Sequence, residues 1–341
     1  MLSFVNDYCE IAHEAILERM LKEARTKRAG YCCDDICESA RTRIRQETGS
    51  PDASVYFLSG GTQTNQIVID TVLPHYQGVV AAVSGHVAVH EAGAIEYSRH
   101  KVLTIPGHAG KIDPSELEHF IACFYKDGNH EHMVFPGMCY ISHPTEYGTL
   151  YTKSELKAIR NICDRYDIKL FIDGARLGYG LMAKHTDVTM KDIAAFADVF
   201  YIGGTKVGAV LGEALVFPKG DEPDHFMTQI KQHGALLAKG WVLGMQFDTL
   251  FTDGLYYEIS RNAIEIAETL KEAFKAKGYD MPIDSPTNQI FVVLSNEQIG
   301  KLSAYVNFSF MDVIDDEHSL MRFCTSWATD PEEVQELIKL L

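Results

Sequence analysis

Phe200-Tyr-Ile-Gly-Gly-Thr-Lys206-Val-Gly-Ala-Val-Leu-Gly212 decides how this chain is read. Asp198 to Ile202 is an apolar, strand-like run that empties into two glycines, a threonine and one lysine. A lysine that follows a buried strand and is set among small residues is poorly solvated, so it gives up its proton more readily than in water. Such a lysine can form an imine. The same letters also describe a surface lysine on a glycine-rich turn, and only the rest of the chain separates the two.

Upstream, strands and helices alternate. Ser54–Leu58, Val79–Val83, Lys101–Ile105, Met138–Ser142, Lys169–Asp173 and Glu213–Phe217 read as strands. Between them, helical spacing predicts helices over 63–73, 90–97, 114–125, 152–166 and 192–197. Thr152, with Glu155 three residues on, is a capping-box signature. Two further helices are expected ahead of the first strand, over 10–27 and 34–48, the second with Asp34 and Asp35 at its N-terminal dipole. Alternation of this kind implies a mostly parallel sheet between helices, with ligands bound at the carboxyl ends of the strands. Beyond it come helices over 234–252 and 256–277, strands over 290–294 and 320–325, and a last helix from Pro331. Residues 1–250 are therefore expected to form a large α/β domain and residues 251–341 a smaller α+β one.

The formal net charge of −16 disfavours nucleic acid and anionic membranes as partners, because phosphate would be repelled. An anionic ligand must then be held by local donors. No apolar run is long enough for a transmembrane helix, and the first residues do not resemble a signal peptide. Eight scattered cysteines suit the reducing cytoplasm. Cys32, Cys33 and Cys37 lack a second pair at finger-like spacing, so no metal is expected.

Four groups fall at strand ends. Ser59-Gly60-Gly61-Thr62 precedes a helix, where backbone N–H groups and a hydroxyl can take an anion; a plain capped turn reads the same way. His86, after a strand, can stack on a flat ring or relay a proton, and Glu91 can pair with it, pair with His90 or sit in solvent. Asp173 closes an apolar strand and needs a partner, either a protonated heteroaromatic nitrogen or Arg176. Lys206 is the fourth. A strand-terminal acid followed by a strand-terminal lysine, with an anion-binding turn upstream, is the set that pyridoxal 5'-phosphate (PLP) requires.

The segments Leu58-Ser-Gly-Gly-Thr-Gln-Thr-Asn65, His86, His90-Glu-Ala-Gly93, Ile172-Asp-Gly-Ala-Arg176, Gly204-Thr-Lys206 and Met321–Trp327 run in the order found in threonine aldolases. The sequence resembles that family, within the β-eliminating lyase group of fold-type-I PLP-dependent enzymes. The resemblance implies the PLP-dependent transferase-like fold: a mostly parallel sheet sandwiched by helices, with a smaller C-terminal domain. It implies that Lys206 carries PLP as an aldimine, that Asp173 contacts the ring nitrogen, and that His86 stacks on the ring. Gly60, Gly61 and Thr62 would hold the phosphate. Arg176 and Arg322 would grip a substrate carboxylate, and Lys231 would reach a neighbouring subunit's phosphate in a homodimer or homotetramer.

Two departures stand out. The family's usual Arg-Ser-Asp segment reads Val5-Asn6-Asp7 here, leaving Asn6 as the carboxylate donor. The common Thr-His-Asn-Gly segment reads Pro144-Thr-Glu146-Tyr-Gly148, which makes Glu146 a candidate base beside His86. The expected reaction is cleavage of L-threonine or L-allo-threonine to glycine and an aldehyde. β-Elimination and transamination on the same scaffold are the alternatives.

Overall fold

Seven strands form the central sheet, in a computed structural model that describes residues 1–341. Their order is Ser54–Leu58, Glu213–Phe217, Val199–Gly203, Lys169–Asp173, Phe135–Ser142, Gln77–Ala82 and Val102–Ile105. The last five run parallel, and Glu213–Phe217 is antiparallel to both of its neighbours. Parallel strands covered on both faces read as near-continuous apolar runs. Val199–Gly203 is accordingly buried at every residue, and so is Glu213–Phe217, antiparallel but covered on both faces. Side chains alternate between the two faces. Leu170, Ile172, Phe200 and Ile202 enter one core, while Phe171, Val199 and Tyr201 enter the other.

Two helices start where their capping residues predict. Asp34 accepts from the Cys37 amide at 2.9 Å, and Thr152 and Glu155 form the reciprocal capping box ahead of Lys153–Tyr166. Three expected helices are shorter or divided. The first runs only over Glu14–Glu23, capped by His13. Of the expected helix over 90–97 only Ala94–Tyr97 is helical, with a separate short helix His86–Val89 ahead of it, because Ala92 and Gly93 lie in the left-handed region. Likewise, Gly234 at φ 69° ends a separate helix, Phe226–Gln232, and the next begins only at Trp241.

The C-terminal part carries an antiparallel sheet in the order Ser309–Val313, His318–Cys324, Gln289–Ser295, backed by Leu255–Ala276 and Pro331–Leu340. Ser309–Val313 was not legible as a strand, since only one of its faces packs and most of it is exposed. The N-terminus joins this part. Leu2–Ser3 pairs in parallel with Val306–Asn307, and Phe4 is buried in the C-terminal core.

Candidate active site

The carboxyl ends of the parallel strands open into a cavity of about 390 Å³. Gly60, Gly61, Thr62, His86, Glu146, Asp173, Arg176 and Lys206 all line it, although they come from five separate stretches of sequence. The sheet register accounts for the meeting: Ser142 lies opposite Asp173, and Phe200 opposite Ile172, so neighbouring strands end together.

Asp173 is buried but fully partnered. Oδ2 accepts from Tyr140 Oη at 2.5 Å and Asn65 Nδ2 at 3.1 Å, and Oδ1 accepts from the Ala175 amide at 2.9 Å. Burial disfavours its charge, yet the positive field of His86 and the hydroxyls of Tyr140 and Tyr201 hold the carboxyl below its ordinary value. It remains an anion. Of the two partners that the sequence left open, Arg176 is taken elsewhere. Its Nε and Nη2 grip the two oxygens of buried Asp7 at 2.7 and 2.9 Å, leaving Nη1 without a protein partner. The charge of Asp173 is thus left for a ligand.

Lys206 follows Val199–Gly203 on a tight loop closed by Gly204 N–H to Gly212 O at 3.0 Å and Thr205 N–H to the same oxygen at 3.1 Å. Gly212 has φ 113°, and a Cβ there would lie 3.0 Å from Leu58 O, so only glycine closes the loop. No carboxylate pairs with the Lys206 ammonium within salt-bridge distance. Burial, then the charge of Arg176, lowers its pKa against the pull of Asp7, Asp173 and Glu213. An amine so placed gives up its proton more readily than in water, as a nucleophile must.

His86 and Glu146 face the same space. His86 Nδ1 lies 2.8 Å from Glu91 Oε1, and Asn65 Nδ2 donates to that oxygen at 2.7 Å. Glu91 therefore pairs with His86 and is buried, not solvated. Burial lowers the imidazole pKa, but the Glu91 hydrogen bond and the charge of Asp173 prevail and raise it. Glu146 Oε1 accepts from Ser142 Oγ at 2.6 Å and from the His86 amide at 3.0 Å. Burial, helped by the charge of Asp173, raises the Glu146 carboxyl above its ordinary value, against the hydrogen bonds of Ser142 and of its own backbone amide and the charge of His86.

The Ser59–Thr62 turn has the form of an anion cradle. Helix Gly61–Val72 starts at Gly60, which offers no side-chain cap, and its first turn holds no acid. A Cβ at Gly60 would meet nothing within 4 Å. The helix N-terminus is therefore left open to an incoming oxyanion. With a buried anionic acid, an unpaired lysine and an uncapped helix start around one cavity, the residues fit PLP.

Three expected residues lie outside the cavity lining. Lys231 is exposed, its ammonium 4.8 Å from the centre of the Tyr31 ring. Asn6 Oδ1 accepts from the Tyr8 amide, and Tyr8, not Asn6, lines the cavity. Arg322 donates to Gln289 Oε1 at 3.1 Å and to Val5 O at 3.4 Å, while its buried Nε has no partner. Conversely, sequence reasoning passed over Asn65, Tyr140 and Glu213. Asn65 stood in a motif already quoted, and Glu213, a charged residue opening an apolar strand, was a readable signal.

The family model described as beta-eliminating lyase matches residues 7–297. A low-specificity L-threonine aldolase of Pseudomonas aeruginosa is 29% identical over 291 residues, covering 84% of this chain and 82% of that one. The solved structure of a Leishmania major threonine aldolase is 40% identical, with a TM-score of 0.96 over all of this chain and 98% of that chain. A mutant Thermus thermophilus aspartate aminotransferase, 15% identical, superposes with a TM-score of 0.71 over all of this chain and 90% of its own; it shares the fold alone.

Proposed function

The chain belongs to the beta-eliminating lyase family, and from that premise we propose that it is a PLP-dependent aldolase of the low-specificity L-threonine type. It cleaves β-hydroxy-α-amino acids such as L-threonine and L-allo-threonine to glycine and an aldehyde. The observation that carries this reading is the pairing of Asp173 with Lys206: a buried carboxylate with no cationic side chain bonded to it and an unpaired lysine face one cavity. Relatives named as threonine aldolases favour carbon–carbon cleavage over β-elimination or transamination.

Lys206 would hold the cofactor through its amine, with Asp173 toward its ring nitrogen and His86 toward its ring. The amides of Gly61 and Thr62 would hold the phosphate. When bound, PLP supplies an electron sink for the pair left on Cα as the Cα–Cβ bond breaks. Asp173, kept ionised, would favour the positive ring nitrogen that this requires. Arg176, oriented by Asp7, presents Nη1 to the substrate carboxylate, and Arg322 is the second candidate for that group. Glu146, its Oε2 free of protein partners, takes the proton of the substrate hydroxyl. His86, oriented by Glu91, keeps its other nitrogen for the ring.

The assembly is read as a homodimer or homotetramer. Lys231, exposed and away from its own chain's cavity, is free to reach a second copy. No helix is long and apolar enough to cross a membrane. Eight free cysteines support a cytoplasmic setting.

Borohydride reduction after incubation with PLP, followed by peptide mapping, should place a pyridoxyl group on Lys206. Threonine should yield glycine and acetaldehyde. Pyruvate and ammonia from serine as the main products, or an adduct at another lysine, would overturn the reading.

A further inference from the structure

Glu213 opens the strand Glu213–Phe217 and is buried. In the ladder it stands opposite Leu58 on one side and Gly203 on the other. Leu58 leads into the Gly60–Gly61 turn and Gly203 into the Lys206 loop, so this carboxyl lies at the root of both. Oε2 accepts from the Gly204 amide at 3.2 Å, and Oε1 lies 3.0 Å from Thr205 Oγ1. Thr205 Oγ1 in turn accepts from the Gly212 amide at 2.9 Å. Glu213 and Thr205 line the same cavity as Lys206 and the glycine turn.

A phosphate monoester is close to a dianion above its second ionisation near pH ~6. Beside an ionised glutamate in a buried site it would be repelled. Burial already pushes the Glu213 carboxyl up to about 8, against the attraction of Lys206 and the hydrogen bonds from Thr205 and Gly204, while Asp173 pushes the same way as burial. The phenols of Tyr201 and Tyr256, which also feel this carboxyl, are kept neutral by burial.

We propose that Glu213 works as a protonated acid beneath the phosphate turn, that it sets the direction of the Thr205 hydroxyl, and that phosphate-ester binding draws one proton from solvent onto it. This inference rests on the cofactor reading above. An ionised Glu213 only accepts hydrogen bonds, so Thr205 O–H must point at it. Once protonated, Glu213 donates to Thr205 Oγ1 across the same separation. Oγ1 then accepts from both Glu213 and Gly212, and its own hydrogen is released toward the cavity. One O–H bond forms at the carboxyl, and nothing else is made or broken. Glu213 is thus a positioning residue, acting through Thr205. Below about pH 8 the acid is already in the binding form. Above that, each ligand bound takes up a proton, and affinity falls by roughly tenfold per pH unit.

The test is titration calorimetry of the full-length protein with pyridoxine 5'-phosphate, which has the ring and phosphate but no aldehyde for Lys206 to hold. It is run between about pH 7 and 10, in buffers of different ionisation enthalpy. Wild type should weaken by at least about tenfold per unit above pH 8.5 while taking up at least one proton, since the probe's own ring nitrogen also titrates in this range. Glu213→Gln, whose amide donates to Thr205 at every pH, should bind like wild type at pH 7 and, above pH 8.5, take up one proton fewer and weaken about tenfold less per unit. Thr205→Val should bind roughly tenfold more weakly at pH 7 and keep the pH slope, because Glu213 still faces the phosphate. A slope that survives intact in Glu213→Gln belongs to Lys206 or to the probe's ring nitrogen and overturns the proposal. So does a wild-type uptake near zero, which needs no variant to be read. Wild type that fails to bind the probe at any pH overturns the cofactor reading itself.

Discussion

At Glu146 the two carboxylate oxygens have different surroundings. Oε1 takes hydrogen bonds from Ser142 and the His86 amide, while Oε2 has no protein partner. Burial raises the carboxyl toward the range where a general base works best. Glu146→Gln keeps the shape and both contacts of the first oxygen but removes the basic site. It is expected to lower kcat for threonine cleavage by roughly 10²–10⁴-fold and to leave the borohydride-trapped adduct at Lys206 intact. A loss below tenfold would move the base to His86. At this scale the sequence named most of the participants, because Asp173, Lys206 and His86 stand at the ends of apolar runs. It left their partners open. Asp173 had two readings, and the bidentate Asp7–Arg176 pair removes Arg176 as its partner. Tyr140 and Asn65, interior to a strand and a helix, give no local sign of facing Asp173.

The helix Gly61–Val72 shows what one element contributes. Its start is uncapped, and its N-terminal amides and dipole are the local donors on which the proposed phosphate site relies in a chain of net charge −16. Gly60→Ala adds a methyl where nothing lies within 4 Å, and φ −177° suits any residue. The fold should therefore tolerate it, with Tm within a few degrees of wild type. Affinity for pyridoxine 5'-phosphate should fall by roughly tenfold, about 1.4 kcal/mol, as the methyl narrows the cradle. Unchanged binding by calorimetry would place the phosphate elsewhere. Strands and capped helices were legible here because burial and capping are local properties of pattern. The helix expected over 90–97 failed for an equally local reason, the left-handed residues Ala92 and Gly93, and a glycine in that position was the available warning.

Over the whole molecule, the N-terminal segment ties the parts together. Leu2–Ser3 adds to a strand of the C-terminal part, and Asp7 then accepts from Arg176 of the large sheet's loop and from Asn288 Nδ2 at 2.9 Å. Asp7→Ala leaves the largely buried Arg176 charge unpaired. It is expected to destabilise the protein by about 3–5 kcal/mol, read as a lower urea midpoint with an unchanged m value. A loss under about 1 kcal/mol would mean that Arg176 is held by other means. The sequence alone determined the α/β alternation, the strand-end positions of Asp173 and Lys206, and the glycine turn, because each depends on spacing along the chain. The tertiary structure alone decided that Asp7 claims Arg176, that Arg322, Asn6 and Lys231 lie outside the cavity lining, and that Glu213 stands beneath both the phosphate turn and the lysine loop. Those facts depend on which strands lie side by side, and the antiparallel insertion of Glu213–Phe217 between Ser54–Leu58 and Val199–Gly203 has no signature in any one stretch of sequence.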